Sequence, residues 1–243
     1  MNLSVPESYL RAVALLREEM GSHCAGYPFS LPIFAEFEEL EFDPCVTILV
    51  GENGAGKSTL LEAIAVAWGF NPEGGTRNMR FSTQDTHSVL YEYLRLIKGV
   101  KKPKDEFFLR AESFYNVATQ ADHYDVSGYY GGSLHSRSHG EAFFATFMNK
   151  FKGKGLYLLD EPEAALSPMR QMAILARIHE LVKKESQFII ATHSPIIMAY
   201  PGAKILQLSD HGIEAIAYEA TEHYRVTKQF MNNRESMLSI LLE

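Results

Sequence analysis

The sequence has little cysteine and no long apolar run. Its 243 residues include two cysteines, Cys24 and Cys45, whose number and spacing indicate neither a disulfide framework nor a zinc site. We therefore expect a reducing compartment and a cytoplasmic location. Nowhere do about 18 apolar residues follow one another, so we expect no transmembrane segment. The N-terminus lacks a cationic start followed by an apolar core, so we expect no secretion signal.

Positive charge is scarce as well. Lys and Arg total 23 against 30 Asp and Glu, which gives a formal net charge of −7. This balance argues against a protein whose whole surface binds nucleic acid, although a local basic patch is compatible with it. The basic run of Lys98, Lys101, Lys102 and Lys104 fits a solvated loop better than a nucleic-acid contact. Nucleic acid is therefore a partner that the sequence allows but does not indicate.

What is present is an ordinary globular composition, with 46% hydrophobic and 22% charged residues. Apolar segments typical of buried strands, CVTILV, GLYLLD and FIIAT, alternate with helical ones. This alternation predicts an α/β fold with a mostly parallel sheet flanked by helices, in one domain spanning residues 1–243. Ser4 and Glu7 predict a capped helix over residues 5–20. AKILQL and IEAIAYE predict a hairpin, and a final helix is predicted from about Thr221.

A phosphate-binding loop is the clearest motif. GENGAGKST, residues 51–59, matches G-x-x-x-x-G-K-[ST] and lies between the apolar segment VTILV and a helical segment. Its backbone N–H groups and the helix N-terminus behind them form a cradle for anions. Lys57 is expected to reach the β- and γ-phosphates, and Ser58 to coordinate Mg²⁺. The predicted contacts to a nucleoside triphosphate are Glu52, Asn53, Gly54, Ala55, Gly56, Lys57, Ser58 and Thr59.

A second motif places two acids at the end of an apolar strand. In GLYLLDEPE, Asp160 and Glu161 follow a buried run, and the carboxyl end of a parallel strand faces the ligand crevice. Asp160 is predicted to hold Mg²⁺, directly or through water. Glu161 is predicted to polarise the water that attacks the γ-phosphate.

Five segments follow one another in a characteristic order. They are GENGAGKST, SHGE at 138–141, LYLLDE ending at Glu161, ALSP at 165–168, and ATHSP around His193. In this set the chain resembles the ABC-type ATPases, a P-loop family shared by transporter subunits, SMC proteins and RecF-like proteins. There the same order holds Walker A, the signature, Walker B, the D-loop and the switch histidine. The match spans about residues 28 to 210, and the chain closely resembles small stand-alone ATPases of the SMC and RecF-like branch.

The resemblance implies an enzyme that hydrolyses ATP with Mg²⁺, with Lys57, Glu161 and His193 as catalytic residues. It implies a homodimer in which two copies sandwich two ATP molecules head to tail. Three residues would then contact the ATP held by the partner: Ser138, Gly140 and Glu141. The resemblance also implies an antiparallel β lobe and a short helical subdomain beside the main sheet.

Two parts of the family pattern lack a clear match. The glutamine that contacts Mg²⁺ and the attacking water could be Gln84, which comes early, or be replaced by Glu112, which follows a predicted strand and could bind Mg²⁺ as a carboxylate. The aromatic residue that stacks on adenine is not assigned. Phe34, Phe37 and Phe42 are the candidates, and all three also suit a core.

The biological role has three interpretations. The chain could be a stand-alone soluble ATPase whose dimerisation acts on an unknown protein partner, the ATP-hydrolysing subunit of a transporter, or a DNA-associated ATPase of the Rad50 or RecF type. The interval from Lys57 to Ser138 contains no heptad run, which excludes a long coiled-coil arm. The short interval from Glu112 to Ser138 leaves little room for a membrane-coupling helical subdomain. These features favour the stand-alone ATPase.

Overall fold

The computed structural model describes residues 7–21, 26–35, 37–77, 88–114, 116–117, 119 and 138–243. Within these residues the strands form a larger sheet in the order β5-β6-β7-β3-β8-β9 and a smaller one in the order β2-β1-β4. The strands are β1 Leu10–Leu15, β2 Glu39–Glu41, β3 Val46–Val50, β4 Leu94–Lys98, β5 Asp105–Arg110, β6 Gly155–Asp160, β7 Gln187–Ala191, β8 Lys204–Ser209 and β9 Gly212–Ile216. The helices are α1 Lys57–Trp68, α2 His139–Lys150, α3 Pro168–Val182, α4 Pro195–Met198, α5 Glu222–Asn232 and α6 Arg234–Leu241.

The larger sheet is parallel from β5 to β8, and β9 joins it as the antiparallel half of the predicted hairpin. Every residue of β3, β6 and β7 is buried, as expected for parallel strands covered on both faces. One apolar cluster lies on the side of α2 and α3, and the other lies on the side of α1. Because β3, β5, β6 and β7 are parallel, their carboxyl ends meet at one edge.

The smaller sheet confirms the antiparallel lobe and corrects one prediction. The expected helix over residues 5–20 is wrong, because Leu10–Leu15 is a strand and Arg17–Glu19 a short 3-10 turn. Strand β1 pairs with β2 on one side and with β4 on the other. These pairings satisfy the backbone of β1 and outweigh a local helical pattern. Ser4, the expected cap, lies outside the described residues.

A buried glutamine joins the two sheets. The side chain of Gln187, at the start of β7, is fully buried. Its Oε1 accepts hydrogen bonds from the backbone N–H groups of Tyr9 and Leu10, both at 2.9 Å. Its Nε2 donates to Leu10 O at 2.8 Å and to Asp43 O at 2.9 Å. The antiparallel lobe is thereby held at the amino-terminal end of the main sheet, opposite the edge where the strands β3, β5, β6 and β7 end.

The remaining predicted elements agree in type. Helix α5 begins at Glu222, where a final helix was expected from about Thr221. Of the expected helical subdomain, α2 is described from His139 onward, and the segment 120–137 before it lies outside the described residues. In the described part of the chain, no helix has the length and apolarity needed to cross a membrane.

Candidate functional site

The phosphate-binding loop connects the end of β3 to the start of α1. Gly56, the residue before the helix, has φ 94 and lies in the left-handed region. A Cβ on Gly56 would lie 2.6 Å from Ile33 Cδ1, the end of a side chain that can shift, so the backbone angle is what favours glycine here. The loop thus reaches α1 with the helix N-terminus open toward the edge of the sheet, which is the arrangement that binds phosphate.

The side chain of Lys57 bends back onto the backbone of this loop. Its Nζ donates to Gly51 O at 2.9 Å and to Glu52 O at 2.8 Å, and the residue is 4% exposed. Burial lowers the pKa of Lys57, although Glu161 and Asp160 oppose the change. An ammonium held by these two carbonyl oxygens is available to anionic oxygens that enter the loop, since these are stronger acceptors.

Ser58 and Asp160 meet where α1 begins and β6 ends. Ser58 Oγ donates to Asp160 Oδ1 at 2.8 Å. Burial raises the pKa of Asp160 to about 6, against the Ser58 hydrogen bond and the attraction of Arg110. The two residues therefore present a hydroxyl and a carboxylate side by side, which are oxygen ligands of the kind that Mg²⁺ accepts.

Arg110, which the sequence analysis missed, lies between Asp160 and Glu112. Its Nε is 3.6 Å from Asp160 Oδ2, and its Nη2 donates to Glu112 Oε2 at 3.1 Å. Its Nη1 forms an ion pair with Glu62, a buried residue of α1. The side chain of Glu112 is 82% exposed. Arg110 rather than Glu112 is thus the neighbour of Asp160, and a direct Mg²⁺ contact by Glu112 stays a prediction. The other candidate, Gln84, lies outside the described residues.

Glu161 has an unusual backbone conformation. Its φ is 50, in the left-handed region, and its N–H donates to Ala191 O at 2.9 Å. For a residue with a Cβ this conformation costs about 1–2 kcal/mol. The hydrogen bond to β7 holds this conformation in place. The carboxylate is 43% exposed. Its Oε1 lies 3.9 Å from His193 Nε2.

The turn after β7 carries His193 and is fixed by an acid from the turn after β6. Glu163 Oε1 accepts from the backbone N–H groups of His193, at 2.6 Å, and Ser194, at 3.1 Å. Burial raises the pKa of Glu163. The second ring nitrogen of His193, Nδ1, lies 2.9 Å from Nε2 of His223 in α5. Neither Glu163 nor His223 is predicted from the sequence. In the case of His223, only the fold brings a helix more than 20 residues downstream back to this turn.

The predicted signature residues lie at the start of α2, against the predicted D-loop. Ser138 is exposed, and its N–H and hydroxyl both donate to Glu141 Oε2, at 3.0 and 2.7 Å. A Cβ on Gly140 would lie 2.2 Å from Ala165 O, so only glycine allows this approach. Glu141 Oε1 also lies 3.8 Å from Arg170 Nη2. The segments SHGE and ALSP therefore form one continuous surface.

A cavity of about 440 Å³ adjoins the phosphate-binding loop. It is lined by loop residues 51–55, by the β8–β9 turn and by His223. The three adenine-stacking candidates do not face it as free rings, because Phe34, Phe37 and Phe42 are buried at 2–6% exposure. Tyr27 is 67% exposed, and its hydroxyl shares a hydrogen bond with Thr59 Oγ1 at 2.8 Å.

Two family models match the chain. A model described as an AAA domain matches residues 30–123. A second model, described as an AAA domain and candidate AbiEii toxin of a type IV TA system, matches residues 134–199. The first match contains the phosphate-binding loop, and the second contains the SHGE segment, the acidic strand end and His193.

Similar individual proteins carry ABC and SMC names. An uncharacterized ABC transporter ATP-binding protein from Haemophilus influenzae is 26% identical over 192 residues, which cover 67% of this chain and 69% of that protein. An inward-facing ABC transporter assigned to the metal-chelate type aligns with a TM-score of 0.48 and 18% identity, over 91% of this chain and 88% of the other. The SMC head domain from Thermotoga maritima aligns with a TM-score of 0.46 and 16% identity, over 85% and 98%. The chain is thus similar to AAA-domain proteins and to an ABC-type ATP-binding protein in the segments that carry the phosphate-binding loop and the acidic strand end.

Proposed function

We propose that the chain binds Mg²⁺–ATP and hydrolyses it to ADP and phosphate. The hydrogen bond of 2.8 Å between Ser58 and Asp160 is the observation that carries the proposal. It joins the first turn after the phosphate-binding loop to the end of a buried parallel strand, with Lys57 beside it. A triphosphate on the loop would have its β- and γ-phosphates next to this oxygen pair.

Ser58 and Asp160 would hold Mg²⁺. In the described part of the chain, no cluster of three His, Cys, Asp or Glu side chains suits a metal. The pair nevertheless suits this ion, because Mg²⁺ is usually bound by one or two protein oxygens together with phosphates and water. When bound, Mg²⁺ neutralises charge on the phosphates. A direct contribution from Glu112 would require Arg110 to move from its position beside Asp160.

Three side chains would then carry the chemistry. Lys57 exchanges the carbonyls of Gly51 and Glu52 for phosphate oxygens, whose negative charge favours the ammonium form. Glu161 accepts a hydrogen bond from water and orients it toward the γ-phosphate. His193 donates from Nε2 to a γ-phosphate oxygen. The turns that carry Glu161 and His193 are held in place by hydrogen bonds, and the two side chains lie 3.9 Å apart. This proximity supports the division of roles, because both side chains could then act on the same phosphate.

A second copy of the chain would complete the site. Ser138 is exposed at the N-terminus of the 12-residue helix α2, and the positive end of a helix suits an anion. Its hydroxyl and N–H would exchange Glu141 Oε2 for an oxygen of the phosphate. The contact between Gly140 and the D-loop fixes this end of the helix. In a head-to-tail homodimer, Ser138, Gly140 and Glu141 would contact the ATP held by the partner, and hydrolysis would separate the two copies.

Tyr27 is the residue that we propose to stack on adenine. Its ring is exposed, and its hydroxyl contacts Thr59 at the end of the predicted ATP-binding segment. An exposed aromatic ring at the edge of a nucleotide site offers a face for a base. The buried phenylalanines cannot do so without leaving the core.

The proposed activity is tested by steady-state phosphate release. Wild-type protein with Mg²⁺ and ATP should exceed the Lys57→Ala variant, and equal rates would contradict the proposal. Glu161→Gln should bind ATP and accumulate as a dimer in light scattering, since hydrolysis is what separates the copies. A monomer under these conditions would contradict the homodimer.

A second candidate is the ATP-binding subunit of a transporter, favoured by the name of the Haemophilus influenzae relative. The first candidate remains a cytoplasmic stand-alone ATPase acting on an unidentified protein partner. Affinity purification of Glu161→Gln with ATP separates them. Recovery of a membrane permease would favour the transporter, recovery of a soluble protein would favour the stand-alone ATPase, and recovery of DNA or a nuclease would favour a DNA-associated role.

A further inference from the structure

His223 brings a second imidazole into the nucleotide site from outside the predicted motifs. It lies in the first turn of α5, and its Nε2 is 2.9 Å from Nδ1 of His193. The ring centroids are 5.1 Å apart with an interplanar angle of 58°. This geometry is that of a hydrogen bond between ring nitrogens rather than a stacked pair. His223 also lines the cavity beside the phosphate-binding loop.

One hydrogen bond between two neutral imidazoles has two proton arrangements. In the first, His223 Nε2–H donates to His193 Nδ1, so the proton of His193 lies on Nε2. In the second, His193 Nδ1–H donates to His223, and His193 Nε2 has a lone pair instead. Only the first arrangement lets His193 donate from Nε2 to a phosphate oxygen.

The surroundings favour the first arrangement. His193 Nε2 lies 3.9 Å from Glu161 Oε1, and a carboxylate attracts an N–H group but repels a nitrogen lone pair. Burial, the charge of Lys57 and the neighbouring His223 lower the pKa of His193. Burial and Lys57 lower the pKa of His223 as well. Both rings are therefore neutral near pH 7, and their protons are distributed by the hydrogen bond.

The start of α5 is fixed to the turn that carries His193. The Tyr218 hydroxyl donates to Pro195 O at 2.9 Å, two residues after His193. The Thr221 hydroxyl donates to Tyr218 O at 2.7 Å, and the Tyr218 and Tyr224 rings are 4.6 Å apart. These contacts keep His223 at hydrogen-bond distance independently of the imidazole pair.

We propose that His223 is a positioning residue, which donates from Nε2 to His193 Nδ1 and thereby holds the His193 Nε2–H group toward the γ-phosphate of bound ATP. The proposal rests on the proposed function for its kinetic consequence. The proton positions, in contrast, are a property of the protein without nucleotide. His223 acts through His193 and does not itself contact the phosphate.

Nitrogen NMR tests the assignment directly. Protein labelled with ¹⁵N-histidine, near pH 7 and without nucleotide, should show the protons of His193 and His223 both on Nε2, with a coupling between His193 Nδ1 and His223 Nε2. Spectra of His193→Gln and His223→Gln assign the signals. A His193 proton on Nδ1 would overturn the proposal, and so would two rings without a shared hydrogen bond. Either result is independent of whether the protein hydrolyses ATP.

Kinetics separates positioning from a structural role. His223→Leu removes the donor and should lower kcat on the order of tenfold while KM for ATP changes little. His223→Gln keeps an N–H donor at the same distance and should restore most of the rate. In a His193→Ala background, His223→Leu should cost nothing further. An equal loss in both backgrounds, or no rescue by Gln, would overturn the proposal. A wild-type protein without ATPase activity would contradict the proposed function alone.

Discussion

The buried Asp160 carboxylate is expected to cost the protein stability, and Asp160→Asn measures that cost. Asp160 is 5% exposed, and burial raises its pKa from 3.8 to about 6. The folded state thus holds the proton more tightly than the unfolded chain. The stability gained from protonated Asp160 is fully present below about pH 4. This stability is lost as the pH rises through about 6.

The magnitude follows from the two pKa values. A separation between 3.8 and about 6 corresponds to about 3 kcal/mol lost above pH 7, at about 1.4 kcal/mol per pH unit. Asn has the same shape, can still accept from Ser58 and carries no charge. It also loses the attraction to Arg110, so we expect Asp160→Asn to stabilise the protein by about 1–3 kcal/mol at pH 8. This advantage should fall by about 1.4 kcal/mol between pH 8 and pH 5, as the wild-type carboxyl becomes protonated.

Urea unfolding in the presence of EDTA is the assay, since the chelator removes any divalent ion. Asp105→Asn is the matched control. Asp105 pairs with Lys150 at 3.1 Å and accepts from the Tyr157 hydroxyl at 2.8 Å, so the same substitution there should destabilise the protein. A destabilised Asp160→Asn at pH 8, or an advantage independent of pH, would refute the reasoning. The stabilised variant should nevertheless lack Mg²⁺-dependent phosphate release.

Three further predictions concern the predicted signature, the contact of Gln187 between the two sheets, and the stacking of Tyr27 on adenine. Gly140→Ala forces a Cβ to within 2.2 Å of Ala165 O, so in a Glu161→Gln background it should abolish the ATP-dependent dimer in light scattering while a fluorescent ATP analogue still binds. Gln187→Leu removes the side-chain hydrogen bonds of three buried backbone groups and one partly buried group and should lower the free energy of unfolding in urea by at least about 3 kcal/mol; an unchanged midpoint would contradict this. Tyr27→Ala should weaken ATP binding about tenfold in a fluorescence titration, and Tyr27→Phe should not, since stacking needs the ring alone.

The parts of the fold that sequence predicts well are those dictated by local pattern. The three buried strands CVTILV, GLYLLD and FIIAT appear as β3, β6 and β7, because continuous apolar runs suit strands covered on both faces. Strand β1 lies where the local pattern predicts a helix. Its pattern of Leu10, Val13 and Leu16 fits helical spacing, while its pairing with β2 and β4 depends on segments far along the chain.

The candidate site also has some contacts that follow from local motifs and others that depend on the whole fold. The contact between Ser58 and Asp160 follows from two motifs, each positioned by its own strand. Arg110 ends β5 directly opposite Asp160 in the sheet register, and this could be anticipated only by placing the strand FFLR beside GLYLLD. No signal in the sequence pairs His223 with His193, because the turn of the chain that carries α5 back to β7 is a property of the whole fold.

The central claim is that each ATP site combines two copies of the chain, and complementation between inactive variants tests it most directly. Lys57→Ala disables the phosphate-binding loop, and Ser138→Arg blocks the exposed signature without changing the core. Each variant alone should release no phosphate. An equimolar mixture should recover about a quarter of the wild-type rate, since half of the dimers are mixed and each mixed dimer has one intact site of two. Activity in either variant alone, or none in a mixture that still forms dimers, would contradict the composite site.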